Sequence, residues 1–512
     1  MSQTILMRCD SSPSAGAGHL KRCTVLAQSL KKLGFSTIFA IDENTDLFPL
    51  DICFPIHRIA YSYDELLDAN AVKTLAKKIG TKIVLGDSYR ISHAWVAELR
   101  SAGLIVLLID DLGIGGDAFL RIDYSPMPKS PKGNAHSLLG PSYFITDSQR
   151  FRAHSSPPKR MIAHAGGTGN FAAAPEVYAA AALVSKNAET DMTWLCPTEA
   201  SREWLQINGL IKDDHKVIAW QQDKTDLWSN FDIVIGPAST SLFEVILQGA
   251  LPISFPLSPT QTSDRNHWLQ IGHALHLVRE ELNSKEFAEH LIQLSIDHFD
   301  CFRSQLDAFA EELDGNGAAR CSLAIAKLLA GKLHDKANEK TCEAKTREAT
   351  IRKCDIRDAH LFLLARNAHH VRSLSTDPNH IIKWHEHLQW WLNQSIERFI
   401  VDGMADPVAF FWHKPVKAKG CDYLIGGWFP AGNSPAFTAA IRLLDWQLEY
   451  CSDKYPEHVW LASIKKENRA VQLLNRRYGF IDGDSYSLQA AKELFPRTTE
   501  DFIILQRKAR SS

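Results

Sequence analysis

The sequence has little net charge, no paired cysteine motif and no long apolar run. Its 57 Lys and Arg residues nearly balance 59 Asp and Glu residues, so no overall field would attract nucleic acid or an anionic membrane surface. The ten cysteines form no C-x-x-C pair and no zinc-spaced array, which is typical of reduced thiols in a chain of this length. No charged-then-apolar leader follows Met1, and no apolar run approaches the roughly 18 residues of a membrane span. These absences predict a cytoplasmic protein that binds neither nucleic acid nor a membrane.

What the sequence does contain is a regular alternation of element types. The 512 residues are enough for about three domains. Short apolar segments such as TILMRC, STIFAID and DMTWLC, predicted to be strands, alternate with amphipathic segments in residues 1–152 and again in 153–330. This alternation predicts two Rossmann-like α/β domains with a cleft between them. Residues 331–352 are charged and nearly free of aromatics, which favours a linker over a solvated helix. Residues 353–512 are rich in Trp and His and mix helices with strands, so we expect a third domain of a different class.

A glycine turn follows the first predicted strand, in the segment SAGAGHLKRC at residues 14–23. A dinucleotide fingerprint would need a third glycine where Lys21 stands. The turn at Gly16 and Gly18 instead places His19 in the first turn of the next helix. An imidazole there faces the positive potential of the helix end, which favours the neutral form that a general base requires. A histidine that only caps the helix is the alternative interpretation.

Further polar residues are predicted at the carboxyl ends of strands, where ligands of open parallel sheets bind. In the first domain they are Asp10, Asp110, Asp111 and the GDSY segment at 86–89. Each aspartate, taken singly, could equally be a loop or cap residue. In the second domain the glycine loop at 163–170, AHAGGTGN, can bring backbone N–H groups against a phosphate.

The segment DIVIGPASTSLFEVILQGALP predicts a strand, a turn and a short helix. Ser239, Thr240 or Ser241 would cap that helix and Gly249 would end it. The exposed start of such a helix is an anion site. Glu244, one turn further, could accept hydrogen bonds from ribose hydroxyls, although a glutamate on a helix can also be merely solvated.

Several segments resemble, in the same order, the nucleotide-sugar hydrolase family of pseudaminic acid biosynthesis. They are MRCDSSPSAGAGHLKRC, GDSY, LLIDDLG, LLGPSYF, DIVIGPASTSLFE with GALP, and DGNGAAR. The resemblance covers about residues 1–330, and this family is similar in fold to two-domain GT-B glycosyltransferases. It implies metal-free, inverting hydrolysis of UDP-2,4-diacetamido-2,4,6-trideoxy-β-L-altrose at the anomeric C–O bond, which releases UDP and the free sugar.

The resemblance also implies roles for single residues. By position, the catalytic histidine of the family is His19, its D-x-Y tyrosine is Tyr89 and its ribose-binding glutamate is Glu244. We predict catalytic roles for His19, Tyr89 and Asp10, and no cofactor or metal for this reaction. The predicted substrate-binding residues are Gly16, Gly18, Arg22, Gly166, Gly167, Ser239, Thr240, Ser241 and Glu244.

The third domain resembles GNAT-type N-acetyltransferases. The segments DIRDAHLFLLARNAHHVRSLS and HIIKWHEHLQWWLNQ are similar to the opening of that family, and IKKENRAVQLLNRRYGF to its closing segment. The resemblance implies acetyl-CoA as cofactor and transfer to the 4-amino group of the UDP-sugar. We expect Gly432, Asn433 and Asn468 to bind the cofactor. WFPAGNSPAFT replaces the usual glycine-rich pyrophosphate loop, and Asn475 stands where the family places a tyrosine acid, so a domain that only binds is the alternative.

The fold class predicted for the whole chain is therefore α/β, with two Rossmann-like domains in a GT-B-like arrangement, followed by a GNAT-like α+β domain. The predicted function is a bifunctional UDP-sugar hydrolase and N-acetyltransferase. The alternative is a UDP-sugar-dependent glycosyltransferase with an appended binding module, which would need an acceptor. The HEH segment, His385 to His387, lies among tryptophans on an amphipathic helix, which indicates packing or substrate contact rather than a metal site.

Overall fold

The computed structural model divides the chain into two compact units, Met1–Ala337 and Asn338–Ser512. Each unit is described by itself. The residues that the structure describes are 3–10, 18–45, 52–60, 62–128, 136–151, 156–212, 214–219, 226–258, 261–331, 350–403, 407–432 and 437–508.

The first unit begins with a parallel sheet in the strand order β3-β2-β1-β4-β5-β6-β7. Its strands are β1 Thr4–Cys9, β2 Ser36–Asp42, β3 Ile56–Ile59, β4 Ile83–Asp87, β5 Ile105–Ile109, β6 Leu120–Asp123 and β7 His136–Leu139. Its helices are α1 Gly18–Lys32, α2 Glu65–Ile79 and α3 His93–Ser101. Apolar strand residues such as Leu6 and Val84 pack against Val72 and Trp95 of the helices, because alternate strand residues face the helix layer. The chain reverses its direction of progress across the sheet between β1 and β4, and such a switch point is where ligands bind.

A second parallel sheet follows in the order β10-β9-β8-β11-β12. Its strands are β8 Arg160–His164, β9 Asp191–Cys196, β10 Lys216–Ala219, β11 Ile233–Pro237 and β12 Leu251–Phe255. The helices of this part are α4 Pro175–Asn187, α5 Glu199–Ile207, α6 Thr240–Leu247, α7 Arg265–Leu269, α8 Lys285–Asp297, α9 Phe299–Gln305 and α10 Asp307–Glu312. We call β1–β7 with α1–α3 the first lobe, and β8–β12 with α4–α10 the second lobe.

A final helix of the first unit, α11 (Gly317–Leu329), returns to the first lobe. A Cβ added at Gly317 would lie 2.0 Å from the carbonyl oxygen of Phe144, so only glycine allows this approach. Ser322 on the same helix lies 2.8 Å, hydroxyl to hydroxyl, from Ser29 of α1. Arg320 donates to the carbonyl oxygen of Ser142 at 2.8 Å. The segment that follows the second sheet is thereby attached to the first lobe.

The second unit is built on a mixed sheet in the order β13-β14-β15-β16-β17-β19-β18, in which β16 and β17 are parallel and all other pairs antiparallel. Its strands are β13 Thr350–Lys353, β14 Glu397–Asp402, β15 Pro407–Ala418, β16 Cys421–Pro430, β17 Val459–Lys465, β18 Ile481–Asp482 and β19 Phe502–Lys508. Its helices are α12 Ala359–Asn367, α13 His369–Arg372, α14 Trp384–Trp391, α15 Phe437–Lys454, α16 Arg469–Arg477 and α17 Ser485–Leu494. Buried Phe399, Phe411 and Leu443 form its main core between the sheet and α15.

The predicted fold class is confirmed, with two parallel-sheet Rossmann-like domains and a mixed α+β domain. The domain boundaries stay predictions, although the division at residue 337 falls within the predicted linker, 331–352, and β13 already begins at Thr350. Among the described residues, no helix is both long enough and apolar enough to cross a membrane.

Candidate functional site

The carboxyl ends of β1, β4 and β5 lie side by side and assemble the first part of the site. His19, in the first turn of α1, lies with its Nδ1 2.7 Å from Oδ1 of Asp87, the last residue of β4. Both side chains are buried. An ionised carboxylate only accepts hydrogen bonds, so we assign the proton to Nδ1 and leave Nε2 as the basic nitrogen.

Arg22 binds both oxygens of Asp87, and its Nη2, which donates to Oδ1, also lies 3.0 Å from Nδ1 of His19. Its Nε donates to Oδ2 of Asp87 at 2.6 Å, and its Nη1 donates to the hydroxyl of Tyr124. Burial alone would raise the pKa of the Asp87 carboxyl, but the charge of Arg22 and the contact with His19 hold that pKa well below its usual range. The result is an anion that stays ionised and orients His19. Arg22, predicted to bind substrate, lines the pocket while its guanidinium is bound to Asp87 and Tyr124; its contact with substrate stays a prediction.

Tyr89 lies over the edge of His19, with ring centroids 4.6 Å apart and nearly perpendicular planes. Its side chain is 39% exposed. Burial and the nearby Asp111 carboxylate raise the pKa of Tyr89 to about 12, so its hydroxyl keeps its proton at neutral pH. His19, Asp87, Tyr89 and Asp111 line one small concave pocket together with residues of the loop that ends at Gly115.

Two of the predicted strand-end aspartates are bound to protein groups. Asp10 accepts hydrogen bonds on Oδ2 from Ser88 at 2.7 Å and from Nη2 of Arg90 at 2.7 Å, and its other oxygen is bound by Arg8. Asp110 accepts the backbone N–H groups of residues 113 to 115 at 2.7 to 3.2 Å. Asp110 therefore holds the pocket loop, as the loop interpretation predicts, and the catalytic role of Asp10 stays a prediction that its ion pairs do not favour.

The starts of α1 and α6 meet where the two lobes face each other. A Cβ added at Gly18 would lie 3.5 Å from Oγ1 of Thr240. Ser239 occupies the N-cap position of α6, as predicted, but within the described residues its side chain makes no capping bond. Its hydroxyl lies 2.8 Å from that of Ser241 instead, so Ser239 caps α6 by its position and not through its side chain. The amide of Leu242 donates to the carbonyl oxygen of Ser239 at 2.9 Å, and the Ser239 side chain caps no amide of α6. Uncapped amides at a helix start bind anions.

Glu244, on the second turn of α6, is buried and faces the first lobe. Its Oε1 accepts from Nζ of Lys21 at 2.7 Å and from the hydroxyl of Thr146 at 3.2 Å. The neighbouring Phe243 packs against Tyr124 and Phe144, which precede the second sheet in the sequence, with ring centroids 6.0 and 5.2 Å away. The structure therefore brings Glu244 and Thr240 close to Gly18, and hence to His19 in the same turn of α1.

The glycine loop after β8 lies at the carboxyl end of the adjacent strand β11. Gly166 and Gly169 have φ of +68° and +64°, a conformation that favours glycine. A Cβ at Gly169 would lie 2.0 Å from Oγ of Ser201, and one at Gly166 would lie 3.6 Å from Pro237, which ends β11. Gly167 is exposed. Gly16 lies outside the described residues.

In the second unit, the predicted cofactor-binding residues follow the carboxyl ends of β16 and β17. Gly432 is exposed, and a Cβ added there would meet no atom of the described residues within 4 Å. Asn433 lies outside the described residues. Asn468 is the N-cap of α16, and its Oδ1 accepts from the amide of Val471 at 3.3 Å. Asn475 is buried and donates to the carbonyl oxygen of Val471 at 2.8 Å.

His387 packs among aromatic rings of α12 and α14. Its ring centroid is 5.7 Å from that of Trp390 and 5.8 Å from that of Phe362, and its Nε2 lies 2.9 Å from the carbonyl oxygen of Ala359. Burial lowers the pKa of His387 to about 3. Across the described ranges, no group of three or more His, Cys, Asp or Glu residues could hold a metal ion.

Two features of the site were missed in the sequence. The pairing of Asp87 with His19 and the ion pair of Lys21 with Glu244 join residues that are 68 and 223 positions apart. The aspartate of GDSY ends a predicted strand, so the strand order alone would have pointed to it. The Lys21 contact depends on how the lobes meet, for which the sequence carries no signal.

The two Rossmann-like domains of the first unit have a GT-B-like arrangement. No protein-family model matches the chain, and no curated protein matches its sequence. Among solved structures the chain is similar to spinosyn forosaminyltransferase SpnP, with a TM-score of 0.50 and 12% identity over 64% of this chain and 100% of that one. It is also similar to MurG of Acinetobacter baumannii (TM-score 0.46, 15% identity, 64% and 100% covered) and to S. aureus MnaA in a co-structure with UDP (0.47, 11%, 66% and 99%). At these identities the likeness to SpnP shows the fold alone.

Proposed function

We propose that the first unit hydrolyses a UDP-sugar at the anomeric C–O bond and releases UDP and the free sugar. The observation that carries the proposal is the buried His19–Asp87 pair, which lines a pocket of the first lobe. Gly18, the residue before His19, approaches Thr240 at the start of α6. The sugar class, a 2,4-diacetamido-2,4,6-trideoxyhexose, rests on the sequence resemblance. The likeness in fold to a sugar transferase is compatible with this chemistry but does not decide it.

In the proposed reaction Nε2 of His19 accepts a proton from a water molecule as its oxygen attacks the anomeric carbon. The bond between that carbon and the oxygen of the diphosphate breaks, and its electron pair leaves with UDP. Asp87 holds the imidazole in the required tautomer and stabilises the imidazolium that forms. Attack opposite to the leaving group inverts the anomeric centre.

The negative charge that develops on the diphosphate needs a stabilising group in the second lobe. We assign this role to backbone amides at the start of α6, next to Thr240, and in the glycine loop after β8. Within that loop the amides of Gly166 and Gly169 already donate to Nδ1 of His164 and to the carbonyl oxygen of Gly166, both at 3.2 Å. Such fixed dipoles stabilise a charge without reorganising. Glu244, on the same helix, is the proposed acceptor for the ribose hydroxyls.

We also propose that the second unit is an acetyl-CoA-dependent N-acetyltransferase acting on the 4-amino group of the UDP-sugar. β16 and β17 pair through Tyr423–Ile425 and Val459–Leu461, whereas β16 continues to Pro430 and β17 to Lys465. The backbone groups beyond these pairs can bond the amides of an extended pantetheine chain. The hydroxyl of Ser463, on the diverging part of β17, is buried without a hydrogen-bond partner among the described residues, and such an atom fits a polar ligand at this gap.

In that reaction the substrate amine attacks the thioester carbonyl, and the C–S bond breaks to release the thiol. Asn475 cannot protonate the leaving sulfur, because an amide is not an acid and its Nδ2 is bound to Val471. Another donor must supply that proton. An inactive domain that only binds the sugar or a partner remains the competing hypothesis for this unit.

The test of the hydrolase proposal is the release of UDP from the UDP-sugar in water alone, without any acceptor. We expect one equivalent of free sugar for each UDP, formed with inversion at the anomeric carbon. A glycosyltransferase, the alternative function, would release UDP only when an acceptor alcohol is added. Release that requires an acceptor would therefore overturn the proposal in favour of that alternative.

A further inference from the structure

Lys21 stands where a dinucleotide fingerprint would have its third glycine, and its side chain connects the two lobes of the first unit. Its Nζ bonds Oε1 of Glu244 at 2.7 Å. The Glu244 side chain is only 9% exposed and that of Lys21 31% exposed. Burial would lower the pKa of Lys21, but Glu244 and, more weakly, the exposed Asp147 raise it above the ordinary value. Lys21 is therefore a cation whose main partner is the proposed ribose-binding carboxylate.

This contact conflicts with the proposed role of Glu244. A carboxylate that accepts two ribose hydroxyls uses both of its oxygens, yet Oε1 is already bound by Lys21 and by Thr146. A ribose that takes both oxygens of Glu244 therefore competes with Lys21 and Thr146 for Oε1. A half-buried ammonium that loses its carboxylate needs another anion, because an unpaired charge at such a site is costly.

We propose that Lys21 changes partner when the nucleotide binds, leaving Glu244 to the ribose and binding the diphosphate itself. The inference rests on the proposed function, since it requires a nucleotide diphosphate in this cleft. Lys21 lies two residues after His19 on α1, and the backbone of Gly18 in the same turn lies against Thr240. A lysine so placed neutralises the leaving group within a few ångströms of the bond that breaks.

The partner exchange makes two opposite predictions for ligands that differ only in the diphosphate. Replacing Lys21 by Met removes the competitor for Glu244, so uridine should bind several-fold more tightly. The same substitution removes a phosphate contact, so the preference for UDP over uridine should fall by about tenfold, the effect of one charge-assisted hydrogen bond. A lysine with a merely structural role would shift both ligands alike.

The experiment is calorimetry of the full chain with uridine and with UDP, for wild type, Lys21→Met and Lys21→Arg. Lys32→Met, an exposed lysine in the last turn of the same helix, is the matched control and should change neither ratio. Lys21→Arg keeps the charge and should retain most of the preference for UDP. Lys21→Gln, which is also uncharged, has the same expected effects as Lys21→Met and replaces it if Lys21→Met folds poorly.

An unchanged UDP-to-uridine ratio in Lys21→Met, or weaker binding of uridine, would overturn the exchange. If wild type binds UDP and releases it from the UDP-sugar while that ratio is unchanged, the hydrolase proposal stands and only the role of Lys21 is lost. If wild type binds neither ligand at millimolar concentration, the proposed function itself fails, and the inference fails with it.

Discussion

Asp87 determines which nitrogen of His19 can act as the base in the proposed reaction. Its Oδ1 lies 2.7 Å from Nδ1 of His19, and its Oδ2 accepts from Nε of Arg22. Because Arg22 keeps the carboxylate ionised, a hydrogen bond from Nδ1–H is maintained and Nε2 points its lone pair away from the buried pair. In the proposed reaction this nitrogen is the base that accepts a proton from the attacking water.

We predict that His19→Ala lowers the rate of UDP-sugar hydrolysis at least about 100-fold, which is the usual contribution of a general base. The affinity for UDP should change little. Asp87→Asn should lower the rate by a similar factor, because an amide can hold the wrong tautomer. The measurements are steady-state kinetics and calorimetry with UDP. His57→Ala, on the edge strand β3, is the control. A His19→Ala protein that retains more than about a tenth of the rate would contradict the assignment.

The elements of the first unit were largely predictable where apolar segments are long and bounded by turn residues. TILMRC and STIFAID coincide with β1 and β2, and DMTWLC with β9. IHRI and HSLL, which form β3 and β7, were missed because these short segments contain polar or charged residues and lie on the two outer positions of the sheet. His19 was found from its glycine turn, whereas its pairing with Asp87 follows only from β1 lying next to β4.

The close approach of helix α11 to Phe144 can be tested by a single substitution. A Cβ at Gly317, its first residue, would lie 2.0 Å from the carbonyl oxygen and 2.6 Å from the carbonyl carbon of Phe144. Gly317→Ala should therefore displace α11 from the first lobe and destabilise this unit by about 1 to 3 kcal/mol, although alanine is the better helix former.

Differential scanning calorimetry of the full chain measures this effect as a lower unfolding temperature of the first unit. Gly432→Ala is the matched control, because a Cβ there meets no atom of the described residues within 4 Å. This substitution should leave the melting profile unchanged. An unfolding temperature that stays constant or rises in Gly317→Ala would show that α11 can shift at no cost and that its contact with Phe144 is not a constraint on the fold.

At the scale of the whole molecule, the two units carry different kinds of site. The first has its candidate residues at the carboxyl ends of parallel strands, the position that such sheets offer to ligands. The second has a mixed sheet whose only parallel pair, among the described strands, is β16 with β17, and these two strands part after three residues. The proposed reactions match this division, since acylation of an amino group and cleavage of a glycosidic bond need no shared residue.

We predict that the chain can be divided at residue 337 into two fragments that fold separately, because the division between the compact units falls there and the surrounding stretch is charged and nearly free of aromatics. Met1–Ala337 should retain UDP-sugar hydrolysis, and Asn338–Ser512, which keeps β13 intact, should bind acetyl-CoA. Circular dichroism checks folding, and calorimetry of each fragment with UDP and with acetyl-CoA checks function. The binding of acetyl-CoA by Asn338–Ser512 is the more demanding prediction. Asn475 is bound to Val471, and Gly432 is the only described glycine where a pyrophosphate loop would begin. A folded second fragment that binds no acetyl-CoA at millimolar ligand would refute the acetyltransferase proposal and leave the first unit as the only enzyme in the chain.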